Sequence, residues 1–316
     1  MLSNSYGYAC KNIQLAFPER FNNNSIPRII CNRGMIKKTF IEKGISYAAD
    51  LAIQNCKDLY KILKWNCENK IKFFRIDPDL FPWSSEYDIK DLKNYTEICF
   101  LLNEIGRYVT ENNMRITCHP GPFNVLTSTN ENVVRKCIKD LAKHGEVFDM
   151  MNFSKTTFNK INIHIGGVYG NKKSAMKRFC RNFKKLPSNV KSRLTVENDD
   201  KPSMYNVKDL YNGVFRVIGI PIVFDYHHHK FNNGNLTEKE ALELSISTWG
   251  NIKPVIHYSE SRRNEMNDNT IKENAHSDYI RSYINTYGHN VDIMIEAKQK
   301  ELAVIKYLSS NKNIAV

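Results

Sequence analysis

The stretch Pro221–Lys230, PIVFDYHHHK, begins as a short apolar run and ends in groups that can bind a metal ion. Consecutive Ile, Val and Phe residues are typical of a strand that is buried on both faces, as in a parallel sheet. Asp225 closes the run, and His228 follows three residues later. We therefore predict a buried strand whose carboxyl end carries metal ligands.

Seven other apolar runs share this design, and most of them carry His or Glu at the last residue or next to it. The eight predicted strands are Tyr6–Cys10, Lys72–Ile76, Arg115–His119, Ile161–Ile165, Arg193–Asn198, Pro221–Asp225, Lys253–His257 and Val291–Glu296. Helical patterns separate them, at 37–68, 88–112, 132–144, 172–186, 207–214, 237–247, 276–286 and 297–308. This regular α/β alternation predicts a (β/α)8 TIM barrel. We expect a single domain over residues 1–316, with a flexible tail from about residue 309.

The placement of the polar groups favours the barrel over a doubly wound open sheet. An open sheet also alternates strands and helices, but its site collects at one switch point. A barrel brings the carboxyl ends of all eight strands to one mouth. The candidate ligands at or just after these ends are His119, His164, Glu197, Asp225, His228, His257 and Glu296.

These groups are too numerous for one ion, so the sequence predicts two or three metal ions close together. Mixed imidazole and carboxylate ligands suit Mn, Zn or Fe better than Ca or Mg. Such clusters activate a water molecule and stabilise the charge that develops on a phosphate oxygen. The formal net charge of +13 favours a polyanionic partner. A nucleic-acid phosphodiester is therefore the expected substrate.

Composition also restricts the class of protein. The eight cysteines form no C-x-x-C pair, which favours free thiols in a reducing compartment over disulfides or a zinc ribbon. No apolar run approaches the roughly 20 residues of a membrane span, and the first residues lack the features of a secretory signal. We expect an intracellular protein of the cytoplasm, nucleus or a viral factory, with no membrane and no obligatory protein partner.

Ten segments of the chain resemble the UV damage endonuclease family. They are GYACKN, LAIQNCKDLYKILKWN, FFRIDPDLFPW, CHPGPF, HIGGVYG, LTVENDD, VFDYHHHK, IHYSE, AHSDYI and IMIEAKQKE, in family order along almost the whole chain. The resemblance implies a TIM barrel related to endonuclease IV and xylose isomerase. It also implies a manganese cluster, with Mg, Zn or Co as alternatives. The implied reaction nicks damaged double-stranded DNA immediately 5′ to UV lesions such as pyrimidine dimers and 6-4 photoproducts, leaving a 3′-hydroxyl and a 5′-phosphate.

The resemblance also implies roles for individual residues. The family's ligands fall on the seven residues named above, and His276 matches a histidine near the scissile phosphate. Tyr8 matches an aromatic residue that probes the lesion, Asn12 matches a nearby polar position, and Phe123 matches an aromatic wedge. The expected catalytic residues are Glu197, His257, His276 and Glu296.

Three positions depart from the family pattern. Glu86 stands where relatives carry a histidine ligand, so we expect Glu86 to bind metal instead. Pro122 replaces a glutamine beside the wedge and cannot make that side chain's hydrogen bonds. Val255 replaces a lysine that is carboxylated in some relatives, which puts the occupancy of one metal in doubt.

Three alternatives to the UV endonuclease stay open at this point. An apurinic endonuclease shares the barrel and the metals and would prefer an abasic site. A sugar isomerase shares both and has no need of the positive charge. A nucleic-acid-binding barrel with a decayed cluster would bind no metal.

Overall fold

Eight parallel strands close into a barrel in chain order, in a computed structural model that describes residues 4–23 and 25–311. The strands are β1 (Ser5–Ala9), β2 (Phe73–Ile76), β3 (Arg115–Cys118), β4 (Ile161–Ile163), β5 (Leu194–Glu197), β6 (Ile222–Asp225), β7 (Val255–Tyr258) and β8 (Asp292–Ile295). Each overlaps its predicted run, and β1 and β7 extend one residue beyond it, at Ser5 and Tyr258. The first and last strands pair directly, with Ser5 opposite Asp292 and Tyr8 opposite Ile295. The predicted TIM barrel is thereby confirmed.

Helices cover the outside of the barrel. They are α1 (Ile13–Ala16), α2 (Lys37–Glu68), α3 (Tyr95–Glu111), α4 (Glu131–Met150), α5 (Lys172–Phe183), α6 (Ser188–Lys191), α7 (Val207–Leu210), α8 (Arg216–Ile218), α9 (Tyr226–Phe231), α10 (Glu238–Ile246), α11 (Arg262–Met266) and α12 (Lys300–Ser310). A kink divides α2 at Gly44, where φ is +64°, a conformation that glycine adopts without strain. The predicted tail from about residue 309 overlaps the end of α12, and residues 312–316 lie outside the described part of the chain.

The predicted helix at 276–286 was wrong. Its spacing of apolar residues is helical, and Ile280 and Ile284 are indeed buried, but the backbone is irregular. Backbone N–H groups that would bond within a helix donate to acidic side chains instead. The Glu260 carboxylate accepts from the backbone N–H groups of Arg281 and Ser282. The hydroxyl of Tyr307 accepts from the N–H of Ile284. These long-range acceptors replace the local i to i+4 bonds.

The amino-terminal end of the barrel is closed by a buried ion pair. Arg115, the first residue of β3, lies 2.9 Å from Asp292, the first residue of β8, and both side chains are at least 95% buried. Above the pair, Phe73, Val223, Val255 and Met294 fill the barrel interior. With this end packed by the described residues, the carboxyl ends of the strands form the open mouth of the barrel.

All eight cysteines are free thiols, as predicted. Among the described residues, no helix has both the length and the apolar character needed to cross a lipid bilayer. The expectation of a single domain over the full chain stays a prediction.

Candidate metal centre

The seven candidate ligands lie together at the barrel mouth, as their positions at the ends of the predicted strands implied. They form three linked groups, within each of which the ligand atoms lie within 4.8 Å of one another: His119, His164 and Glu197; Glu197, Asp225 and His228; and Asp225, His257 and Glu296. Adjacent groups share Glu197 or Asp225, so two or three ions held there would be neighbours. Five of the seven residues, all but Asp225 and His257, line a cavity of about 800 Å³.

Three buried polar atoms show that these residues fit metal ions. Asp225 Oδ2, His164 Nδ1 and His257 Nδ1 are shielded from solvent, and Asp225 Oδ2 makes no hydrogen bond. The two ring nitrogens lie 3.2 Å from Asp199 Oδ1 and 3.1 Å from Glu197 Oε2, without the geometry of a hydrogen bond. Each belongs to a residue of the three groups. Buried polar atoms almost always have a partner, because an unpaired one is costly. A divalent cation would supply that partner to all three.

Glu197 lies at the centre of the cluster. Its carboxylate lies 3.3 Å from His119 Nε2, 3.5 Å from His228 Nδ1 and 3.1 Å from His257 Nδ1, and the residue is only 1% exposed. Burial alone would raise the pKa of Glu197, but the neighbouring imidazoles of His257 and His164 hold it well below its usual range. The residue is therefore an ionised acceptor, as a metal ligand must be.

The four histidines divide into two electrostatic classes. Burial lowers the pKa of His257 to about 4 and also lowers that of His119. Burial acts in the same direction on His164 and His228, but nearby carboxylates outweigh it and raise the pKa of each to about 9. At neutral pH, His164 and His228 therefore carry protons that a metal ion must displace.

The Asp-x-x-His element owes its geometry to a helix cap. Asp225 ends β6 and caps α9, and its Oδ1 accepts a 2.7 Å hydrogen bond from the backbone N–H of His228. The side chain of Asn198 bonds both the N–H and the C=O of Asp225, at 2.8 and 3.0 Å. The backbone carbonyl oxygen of Asn198 lies 2.8 Å from His228 Nδ1. Asn198 thus fixes both ligands from the neighbouring strand.

Two charged residues that lie beside the ligand groups were not identified from the sequence. Arg75, on β2, forms an ion pair with Glu296 and lines the cavity. Its position inside the apolar run FFRI was the available signal, since a buried arginine needs a partner. Lys160, immediately before β4, is fully buried beside His257. Burial lowers its pKa to about 7.

Glu86 does not join the cluster, contrary to the sequence prediction. It ends the short 3-10 helix Ser84–Glu86, is exposed, and accepts a hydrogen bond from the adjacent Ser85. It is absent from the three ligand groups. The acidic residues that β2 does supply to the cavity wall are Asp77 and Asp79. The segment that follows Asp77-Pro78 carries Glu86 to an exposed position outside the ligand groups.

Tyr8 and Asn12 are also not at the surface, so neither can contact a lesion in this structure. Both are 0% exposed. The Tyr8 hydroxyl donates to Asn66 Oδ1 on α2 at 2.6 Å and accepts from Asn12 Nδ2 at 3.0 Å. Side chains alternate along a strand, and Gly7 faces Phe73 on the interior side. Tyr8 therefore points outward into the helix layer, where it and Asn12 hold α1 and α2 in place.

Phe123 and Pro122 lie where the sequence predicted, on the loop after β3. The Phe123 side chain is 87% exposed, and Pro122 is also exposed. Pro122 lines the main cavity, while both residues line an adjacent cavity of about 570 Å³. His276 also borders the main cavity, with its Nδ1 2.8 Å from the carbonyl oxygen of Glu296.

Comparison with known proteins places this site in a family. The sequence profile described as UV-endonuclease UvdE matches residues 4–315. A UV DNA damage endonuclease of Clostridium perfringens (strain 13 / Type A) is 36% identical over 297 residues, covering 90% of this chain and 68% of the relative. A UV DNA damage endonuclease of Bacillus mycoides (strain KBAB4) is 33% identical over 276 residues, covering 84% and 83%.

Solved structures agree with the sequence relatives. The crystal structure of SacUVDE has a TM-score of 0.82 at 31% identity, covering 98% of this chain and 99% of that one. D-psicose 3-epimerase from Clostridium cellulolyticum H10 has a TM-score of 0.53 at 10% identity, covering 76% and 80%, which shows a shared fold alone. From the profile match, these identities and the superposition, the chain belongs to the UV-endonuclease UvdE family and is an endonuclease of DNA repair.

Proposed function

We propose that this protein nicks double-stranded DNA immediately 5′ to UV lesions, pyrimidine dimers and 6-4 photoproducts, leaving a 3′-hydroxyl and a 5′-phosphate. The observation that carries the proposal is the set of three ligand groups linked through Glu197 and Asp225 at the open mouth. Two or three divalent ions, with manganese favoured by the mixed ligands, would be held there. Such ions supply an activated water and stabilise charge on the phosphate oxygens.

The protein's own residues around the cluster hold charge and protons in defined places. Arg75 keeps Glu296 ionised, because its guanidinium opposes the effect of burial and holds the pKa of that carboxyl well below its usual range. His276 Nδ1 contacts the Glu296 carbonyl oxygen, which leaves Nε2 free to contact a phosphate group of a bound substrate. Glu197 and His257 are both buried, and they would hold ions from the side of the cluster away from solvent.

An aromatic and basic surface extends from the mouth along α5. Tyr169, in the loop after β4, is 49% exposed and has a φ of +49°, which is unfavourable for a residue with a side chain. The Arg178 guanidinium lies 5.5 Å from the centre of its ring. Lys173 and Lys177 are exposed on α5, a helix whose sequence contains no acidic residue. Exposed rings can stack on bases, and lysines can neutralise phosphates.

Lesion selection would come from deformability. A pyrimidine dimer weakens stacking, so kinking the duplex at a dimer costs less than kinking normal DNA. Phe123 is the exposed ring next to the cavity and would fill the gap left by the displaced bases. Pro122 has a fixed φ and stiffens the loop that carries this ring.

The test is a nicking assay on three matched duplexes that contain a pyrimidine dimer, an abasic site or no lesion. We expect manganese-dependent incision of the dimer strand, with a 3′-hydroxyl end that a DNA polymerase can extend. A strong preference for the abasic duplex would instead support an apurinic endonuclease. Failure to cut any duplex, with metal bound, would refute both. Glu197→Gln serves as the control for contaminating nucleases.

A further inference from the structure

Lys160 is a fully buried lysine at the base of the metal cluster. It precedes β4, and alternate residues from it onward, Lys160, Asn162 and His164, reach into the barrel interior. Burying an amine is costly unless it has a partner. Among the described residues no carboxylate forms an ion pair with Lys160, and its Nζ instead lies 3.4 Å from Nε2 of His257. The structure thus contains a buried amine, that of Lys160, in contact with a candidate metal ligand, His257.

The opposite edge of the His257 ring faces the cluster. His257 Nδ1 lies 3.1 Å from Glu197 Oε2 and 3.2 Å from Glu296 Oε1, yet makes no hydrogen bond of acceptable geometry with either. A half-turn of the ring would exchange each nitrogen with a carbon. The ring orientation that places Nε2 beside Lys160 is therefore the same one that turns Nδ1 towards the two carboxylates.

We propose that Lys160 is a positioning residue for the metal centre, holding Nε2 of His257 so that Nδ1 faces the space shared with Asp225 and Glu296. This inference rests on the proposed metal-dependent function. Histidine ligands generally bond a carboxylate, carbonyl or water through the ring nitrogen that does not bind metal, and such partners set ring orientation. Here the Lys160 amine takes that place as the acceptor of the Nε2 N–H, which leaves the lone pair of Nδ1 for a metal ion. The amine comes from the residue before β4, whereas Val255 on β7 supplies only apolar surface to the interior.

The experiment measures metal binding by the full-length protein without DNA. Lys160→Met removes the amine but keeps most of the side-chain length. Lys160→Gln retains a polar group whose amide oxygen can accept from the Nε2 N–H, and it serves as the conservative variant. Lys143→Met is the matched control, because Lys143 is also buried but pairs with Asp88 and Glu146 on the outer layer.

We expect Lys160→Met to weaken the binding of one Mn²⁺ ion by about 10–100-fold in calorimetric titration, as for other partners of metal-bound histidines. Lys160→Gln should retain more affinity, and Lys143→Met should bind like the parent. In the metal-free protein, the ring ¹⁵N resonances of His257 should shift in Lys160→Met and not in Lys143→Met. A merely structural role for Lys160 would lower the melting temperature and leave both readouts unchanged.

Parental Mn²⁺ affinity and parental His257 resonances in Lys160→Met would overturn the proposal, provided that His257→Ala loses an ion in the same assay. The proposed nicking activity is scored separately on DNA. Loss of metal in Lys160→Met from a parent that cuts no DNA would leave the positioning role standing and refute the activity. A parent that binds no Mn²⁺ would refute both.

Discussion

The guanidinium of Arg75 forms an ion pair with the carboxylate of Glu296 at the barrel mouth, and each side chain is 14% exposed. The pair joins β2 to the end of β8 and orients one carboxylate of the metal centre. Glu296 also lies beside His257 and, through its carbonyl oxygen, beside His276. Arg75 thus acts on three candidate catalytic residues through one contact.

Replacement of this arginine should shift the pH dependence of nicking. In Arg75→Met, the Glu296 carboxyl loses the cation that lowers its pKa, so protonation of Glu296 should begin at higher pH. We expect activity to fall by about 10–100-fold and its acid limb to move to higher pH, as measured by initial rates across pH 5–8. Arg107→Met, which breaks an exposed surface pair, is the control. An unchanged acid limb would show that Arg75 does not govern Glu296.

Loss of one charge at the centre of the cluster should separate catalysis from binding. We expect Glu197→Gln and Asp225→Asn each to abolish nicking, because both residues belong to two of the three ligand groups. DNA affinity should stay within a few-fold of the parent, since it comes mainly from phosphate contacts. Fluorescence anisotropy and gel assays measure the two quantities. Near-parental turnover in either variant would remove that residue from the site.

The two aromatic residues that the family resemblance assigns to lesion recognition, Tyr8 and Phe123, should give different phenotypes. Phe123→Ala should lower kcat/KM on a dimer duplex by roughly 5- to 150-fold, the equivalent of 1–3 kcal/mol of stacking. Tyr8→Phe should leave lesion preference unchanged and lower stability by about 1–3 kcal/mol, because Asn66 and Asn12 lose a buried partner. Dimer cleavage by Phe123→Ala at the parental rate would rule out a wedge.

Protons should compete with metal ions at two of the histidines. His164 and His228 have pKa values of about 9 in the metal-free protein, so each must lose a proton before binding. Mn²⁺ affinity should therefore rise between pH 6.5 and 8.5, by up to roughly tenfold per pH unit at a group that contains one of them. Titration calorimetry in buffers of different ionisation enthalpy counts the released protons. Affinity that is flat over this range would contradict the assignment.

Two charge-reversal variants of α5 lysines test whether DNA binds along this helix, and one of them is the control. Lys173 lies in the first turn, towards the mouth, and Lys184 lies at the far end. The two residues are separated by roughly 16 Å at 1.5 Å per residue. Lys173→Glu should weaken DNA binding and reduce the salt dependence by about one phosphate contact. Lys184→Glu should do neither. Equal effects of both variants would indicate a general charge effect and not a DNA path along Tyr169 and α5.

The ligands at the strand ends could be predicted from the sequence because the same pattern, an apolar strand followed by polar groups, recurs around the barrel. Short apolar runs fix the strands, and parallel closure brings their carboxyl ends together whatever the separation along the chain. His119 and Glu296, for example, needed only their position at the end of a run to be recognised. No local partner had to be known for the prediction.

Only the tertiary structure decided which way the remaining side chains point and what covers them. Tyr8 matches a family motif, but its place on the outward face of β1 and its bond to Asn66 bury it. Lys160 meets His257 across 97 positions of sequence, a contact that exists only once β4 and β7 lie in one closed barrel. A sequence pattern specifies periodicity within an element, whereas burial and pairing depend on neighbours that folding brings together.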